Sequence, residues 1–107
     1  MAQPNLSDIL QQAAALQEKF KQLQEEAASK TVEAQSGGGM VRVTVDGSMQ
    51  VRRIEVDPSL LAANDKGMLE DLITVAVNEG LRQAQKMVAE EMGKLAPMGM
   101  LKFPGLG

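Results

Sequence analysis

The sequence predicts an α+β fold: a long N-terminal helix, a small three-stranded antiparallel sheet and a long C-terminal helix. Three observations carry this. The middle of the chain, Met40 to Val56, alternates apolar and polar residues with the period of a strand and turns back at Asp46-Gly47. The segments on both sides repeat apolar residues at spacings of three and four. Aromatic residues make up 2% of the 107 residues, so the core must come from Leu, Val, Ile, Met and Ala. That palette suits paired helices, and so small a domain gains buried area by oligomerising.

In the first segment Leu6, Ile9, Ala13, Leu16, Phe20, Leu23 and Ala27 form the heptad seam of a helix packed on another helix. Pro4 with Asn5 or Ser7 supplies a start signal. The opposite face carries Gln11, Gln12, Gln17, Glu18, Lys21, Gln24 and Glu25, and reads as solvated. Thr31 to Gln35 then switches to residues that tolerate a strand. Ser36-Gly37-Gly38-Gly39 breaks that pattern. The glycine run leads into a strand and lacks the Lys-Ser/Thr ending of a phosphate loop, so it reads as a turn or bulge between strands.

Val41, Val43 and Val45 share one face of the next strand, with Arg42 and Thr44 on the other. Asp46-Gly47 is a hairpin signal. On the return, Val51 has odd parity while Ile54 and Val56 have even parity. A β-bulge near Arg52-Arg53 reconciles them. Asp57-Pro58 ends the strand, because proline brings no donor to the ladder. From about Asn64 or Asp65 a second helix runs towards Leu95. Its stripe of Leu69, Leu72, Ile73, Ala76, Gly80, Ala84, Met87 and Val88 is widened by Val77, Leu81 and Met92. Such width implies more than one packing partner. Gly80 costs the helix about 1 kcal/mol relative to Ala, which close backbone approach explains. Residues 1–95 read as one domain. Residues 96–107, with two prolines and three glycines, read as a flexible tail. Met98 and Met100 within it are weak evidence for a metal.

Several function classes fall away. The chain has neither cysteine nor histidine, which removes disulfides, thiolate metal sites and the usual neutral-pH base. No cofactor is expected. The adjacent carboxylates Glu70-Asp71 and Glu90-Glu91 point ~100° apart on a helix and rarely share a site, so catalysis is not expected. No apolar run approaches the ~20 residues of a membrane span. The first residues lack the pattern of a signal peptide, and a cytoplasmic protein is expected. The net charge of −3 argues against a general basic footprint, although phosphates respond to local clusters.

Three runs are distinctive: Val41-Arg42-Val43-Thr44-Val45-Asp46-Gly47, Arg52-Arg53-Ile54-Glu55-Val56-Asp57-Pro58-Ser59-Leu60-Leu61, and Leu69-Glu70-Asp71-Leu72-Ile73. With the order helix, hairpin, long helix, the chain resembles the bacterial YbaB/EbfC family of nucleoid-associated DNA-binding proteins over nearly its whole length. The resemblance implies a tweezer-like homodimer that contacts double-stranded DNA through helical arms, with a role in chromosome organisation at the nucleoid. Lengths agree with arms: helices of 24 and 30 residues extend ~36 Å and ~45 Å, against ~23 Å for a seven-residue strand.

The arm cations are Lys19 and Lys21 on the first helix and Arg82, Lys86 and Lys94 on the second, with Lys102 beyond. They are interleaved with Glu18, Glu25, Glu90 and Glu91, so by themselves they read as ordinary helical pairs. The resemblance implies DNA contact for the group. Arg42, Arg52 and Arg53 are the densest cluster, but Glu55 and Asp57 lie close by, and pairing or interface support is the first reading. No base-reading motif or aromatic platform is present, so weak or broad sequence preference is expected. The alternative from another class is a protein-interaction module serving replication or recombination proteins.

Overall fold

A computed structural model describes residues 5–94. Helix α1 (Leu6–Ser29) leads into strand β1 (Thr31–Ser36), and a three-glycine turn joins it to β2 (Val41–Asp46). Strand β3 (Val51–Val56), a short helix α2 (Pro58–Ala62) and a long helix α3 (Lys66–Gly93) complete the order. The sheet is antiparallel throughout, in the order β1-β2-β3.

Local chemistry sets the boundaries. The Asp8 amide donates to Asn5 Oδ1 at 2.8 Å, so Asn5 is the cap that starts α1. Asp65 caps α3 in the same way, accepting from the Met68 amide at 3.0 Å. Gly37, Gly38 and Gly39 all hold positive φ, at 60°, 67° and 95°, which is the reason for three glycines in a row. The expected turn between strands is therefore present. Helix α2 was not expected. Asp57 accepts from the Ser59 amide at 2.9 Å and Pro58 opens the turn, so Asp57-Pro58 starts a helix as well as ending a strand.

The hairpin also differs in detail. Asp46-Gly47 is not a two-residue turn: the Met49 amide donates to the Asp46 carbonyl, and the Asp46 amide to the Gln50 carbonyl. Gly47, Ser48 and Met49 form a three-residue loop, with Met49 at a φ of 63° taking the left-handed position. Gly47 serves another need. A Cβ at this position would lie 1.8 Å from the Ala27 carbonyl oxygen, where α1 ends against the loop. The expected bulge is found. Thr44 pairs with Arg53 and Val45 with Val51, leaving Arg52 as the extra residue.

The core is one layer of helix on one face of the sheet. Val41, Val43 and Val45 are fully buried beneath Ala76, Gly80 and Ala84 of α3. A Cβ at position 80 would fall 2.7 Å from Val45 Cγ2, so the close approach expected there is real. Helix α3 lies over β1 and β2 and leaves β3 uncovered, with Val51 41% and Ile54 45% exposed.

Ser36 Oγ donates to the Leu72 carbonyl, while Gly80 sits by Val45, so α3 crosses the sheet towards the hairpin end. Helix α1 enters at that same end, where Thr31 pairs with Asp46, and the two helices run antiparallel. They touch for a short length: Leu23 and Ala27 are buried, and Phe20 and Gln24 lie beside Val88 and Met92. The rest of the expected seam is open, with Leu6 70%, Ile9 49% and Leu16 45% exposed. The reason is geometric: α3 spends its first four turns on the sheet and ends at Gly93 beside the base of α1. The molecule is accordingly long, 78 × 26 × 16 Å. Its radius of gyration of 20.9 Å compares with about 13 Å for a compact globule of this size. The expected tail 96–107 lies outside the described residues.

Candidate nucleic-acid interface

Glu91 organises the base of the arm. Its carboxylate takes the Lys30 ammonium on one oxygen and that of Lys94, at 2.8 Å, on the other. Its side chain is 9% exposed. The Lys30 hydrogen bond, followed by that of Lys94, holds the Glu91 carboxyl below its ordinary range against the opposing effect of burial. The same pairing with Glu91 raises Lys94, and Glu26 contributes from α1. Lys94 is therefore a structural partner as well as an arm cation. Sequence reading missed Lys30 and treated Glu91 as one of the interleaved surface charges. A signal existed: Ala84, Val88 and Glu91 follow spacings of four and three, which puts a carboxylate on the apolar stripe.

The hairpin arginines are all paired. Arg52 Nε donates to Asp46 at 2.5 Å, Arg53 meets Glu55 at 2.9 Å and Arg42 reaches Glu55 at 4.0 Å. Asp46 is buried and also accepts from the Ser48 hydroxyl and from the amides of Ser48 and Gln50. The Ser48 hydroxyl leads the causes that push its carboxyl far below the usual range, with the Gln50 amide and Arg52 adding to it. Asp46 thus pins the loop that receives the end of α1. These arginines read as supports for the turn and the sheet.

The remaining candidates divide by location. Arg82 is bound to Glu79, at 2.6 Å through Nη2, and Gln83 donates to the same carboxylate at 3.3 Å. Lys86 lies one turn beyond Arg82 on the same flank. Together with Gln83, Met87 and Glu90 they border a shallow cleft closed by Val32 of β1. Lys19 and Lys21 stand on the exposed length of α1. Among the described residues, Lys19, Lys21, Lys66 and Lys86 make no ion pair, whereas Arg82 and Lys94 do. Lys102 lies outside the described residues. Among the described residues no group of three or more His, Cys, Asp or Glu side chains is placed to hold a metal ion, and no helix is long and apolar enough to cross a membrane.

An elongated, one-sided α+β unit with cations on two antiparallel helices is the architecture that the sequence resemblance implies. The model of the YbaB/EbfC DNA-binding family matches residues 1–100. The chain belongs to this family. Within it, the chain is 53% identical over 97 residues to a nucleoid-associated protein of Syntrophobacter fumaroxidans, covering 91% of this chain and 86% of the relative. A nucleoid-associated protein of Thermoanaerobacter pseudethanolicus is 43% identical over 102 residues, covering 95% and 90%. The fold is also similar to the crystal structure of an uncharacterized Helicobacter pylori protein. That match has a TM-score of 0.65 at 28% identity and covers 92% of this chain and 98% of the other. The family is one of DNA-binding proteins, not of enzymes. These comparisons bear on the chain as a whole and do not select among Lys19, Lys21, Arg82, Lys86 and Lys94.

Proposed function

We propose that the chain is a nucleoid-associated protein that binds duplex DNA as a homodimer, with weak or broad sequence preference. By altering DNA conformation it contributes to chromosome organisation and, through that, to gene regulation. One observation carries the choice of surface. Each hairpin arginine has a carboxylate within 4.0 Å, while Lys19, Lys21 and Lys86 on the helices carry no carboxylate partner among the described residues. A lysine free of a protein anion exchanges counterions with phosphate at no loss of an internal pair. Arg82 keeps exposed donors beyond its bond to Glu79 and joins the same flank. Lys94 ranks behind them because binding phosphate competes with its hold on Glu91.

Acidic side chains outnumber the lysines on α1, four (Asp8, Glu18, Glu25 and Glu26) to two (Lys19 and Lys21). Contacts of this kind position a protein on the backbone and read no bases. The uncovered Val51 and Ile54 of β3, together with the half-buried Val77 and Leu81 of α3, support a second copy seated on that side of the sheet, since β3 is an edge strand with unpaired backbone groups that invite pairing. Two copies joined there carry two arms. Nucleoid localisation follows from the same reading and from the names of the relatives.

Titrating salt against binding to unrelated duplexes tests the proposal. With roughly four to six phosphate contacts per dimer, the log–log slope is expected near about −4 to −5. Absence of binding at low salt would transfer the assignment to a protein-interaction module. The exposed apolar stripe of α1 is the observation that favours that second reading.

A further inference from the structure

The stripe Leu6, Ile9, Ala13, Leu16 and Phe20 keeps the phase of the seam whose inner end, Leu23 and Ala27, is buried. Helix α3 covers that inner end and stops at Gly93, with Met92 beside Phe20 and Gln24. Leu6, Ile9, Leu16, Phe20 and the neighbouring Leu10 are each at least 40% exposed. Spacings of three and four are the pattern that another helix fills, knob into hole. The open apolar surface is roughly 450 Å² per chain, so two such stripes face to face bury roughly 900 Å², the size of a weak association.

Laid antiparallel on itself, the stripe is complementary. With Ala13 opposite Leu16 of the second copy, Phe20 meets Ile9, and Leu6 reaches Leu23, where α3 takes over. The small Ala13 thus receives a larger side chain, as interdigitating layers require. Leu10, Gln12, Gln17 and Lys19 flank this overlap, and Lys19 falls beside Gln12 of the second copy, so no like charges meet. Asp8, Glu18 and Glu25 lie off the seam. A parallel overlap would oppose Ala13 to Ala13 and leave a gap at the middle, and both copies of α3 would crowd one end. We propose that the outer half of α1 is a self-association surface, paired antiparallel with the same surface of a second copy of this chain. The two sheets then lie ~44 Å apart along the helices, so the copy met at the tip differs from any copy seated on β3. A dimer joined at β3 carries two tips, and pairing at both links dimers, with the duplexes they hold, into a chain. The linking of duplexes rests on the dimer and DNA contact proposed above, the pairing itself on neither.

The chain has no cysteine, so single introduced cysteines report on the pairing directly. Ile9 of one copy opposes Phe20 of the other, whereas two copies of either residue are offset by ~17 Å, beyond the ~7 Å reach of a disulfide. Mixed at hundreds of micromolar, full-length I9C and F20C are expected to bond to each other at least about tenfold faster than either bonds to itself. The two chains differ in mass, so mass spectrometry identifies each product. Self bonds that form as fast as the mixed bond would overturn the proposal. Sedimentation equilibrium supplies a second measurement. From micromolar to hundreds of micromolar the mass of the parent should rise above its micromolar value. I9D/L16D, with both charges on exposed positions, should keep the micromolar value and an unchanged helical content. A parent mass that does not rise, or a folded I9D/L16D that associates like the parent, would also overturn the pairing. Neither readout needs DNA or a dimer at β3, so the outcome stands apart from both.

Discussion

Lys30, at the end of α1, donates to Glu91, 61 residues later and in the last turns of α3. This pair ties the arm to the sheet at the point where both helices leave it, and Lys94 completes it. Because the Glu91 carboxyl is held below the ordinary glutamate value of about 4.5, protons bind the unfolded chain more readily. The stabilisation is therefore complete above about pH 4.5 and is lost as pH falls through the lower folded value. Acid titration followed by circular dichroism should show Glu91→Gln with a reduced Tm at pH 7 and a weaker loss between pH 5 and 3 than the parent, in steps of about 1 pH. Parallel acid curves for the two proteins would remove Glu91 from this role.

Two glycines are held by close approach, and they should differ in severity. At position 47 a Cβ meets a backbone carbonyl at 1.8 Å, which cannot turn aside. At position 80 it meets a valine methyl at 2.7 Å, and alanine there regains about 1 kcal/mol of helix propensity. Gly47→Ala is expected to cost about 3 kcal/mol, the upper end for overpacking, and Gly80→Ala about 1 kcal/mol or less. Thermal melts would separate them by roughly 8–16 °C. The reverse ranking would mean that the end of α1 is not seated on the hairpin loop.

The β3 edge carries the dimer prediction. Ile54→Asp places a charge on a surface already 45% exposed, so the monomer fold tolerates it. Across a buried interface the same charge is costly. Sedimentation equilibrium should report twice the chain mass for the parent and a single chain mass for the variant at micromolar concentration. A variant that stays dimeric would move the interface off β3.

DNA contact is tested by charge reversal. Lys19→Glu with Lys86→Glu should weaken binding to unrelated duplexes alike and make the salt slope shallower by roughly 2 or more per chain, with helical content unchanged. Arg52→Ala leaves the buried Asp46 without its guanidinium and should lower Tm before it affects DNA. Normal binding by the lysine variant, with lost binding by a well-folded Arg52→Ala, would place the DNA on the hairpin face.

The helices, the strands and even the bulge at Arg52 were legible because each is written in local periodicity. The valine parity from Val41 to Val56 is broken once, and a strand with one face on a core has a single way to absorb that break. The helix starts were legible to within a pair of candidates, Asn5 or Ser7 and Asn64 or Asp65, and the structure selects Asn5 and Asp65. The close approach at Gly80 was legible because a glycine inside a helix needs such a reason. The five-residue helix after Asp57 carried its signal too, in the order Asp-Pro-Ser, but that order also ends strands.

What the tertiary structure alone decided is which long-range partner each charge and each apolar stripe meets. Arg52 goes to Asp46, Lys30 to Glu91, and Lys19 and Lys86 to no carboxylate among the described residues. Periodicity states that a helix has an apolar face but not how much of it another element reaches. That length depends on where α3 leaves the sheet, which is a property of two elements packed together rather than of either one's residues.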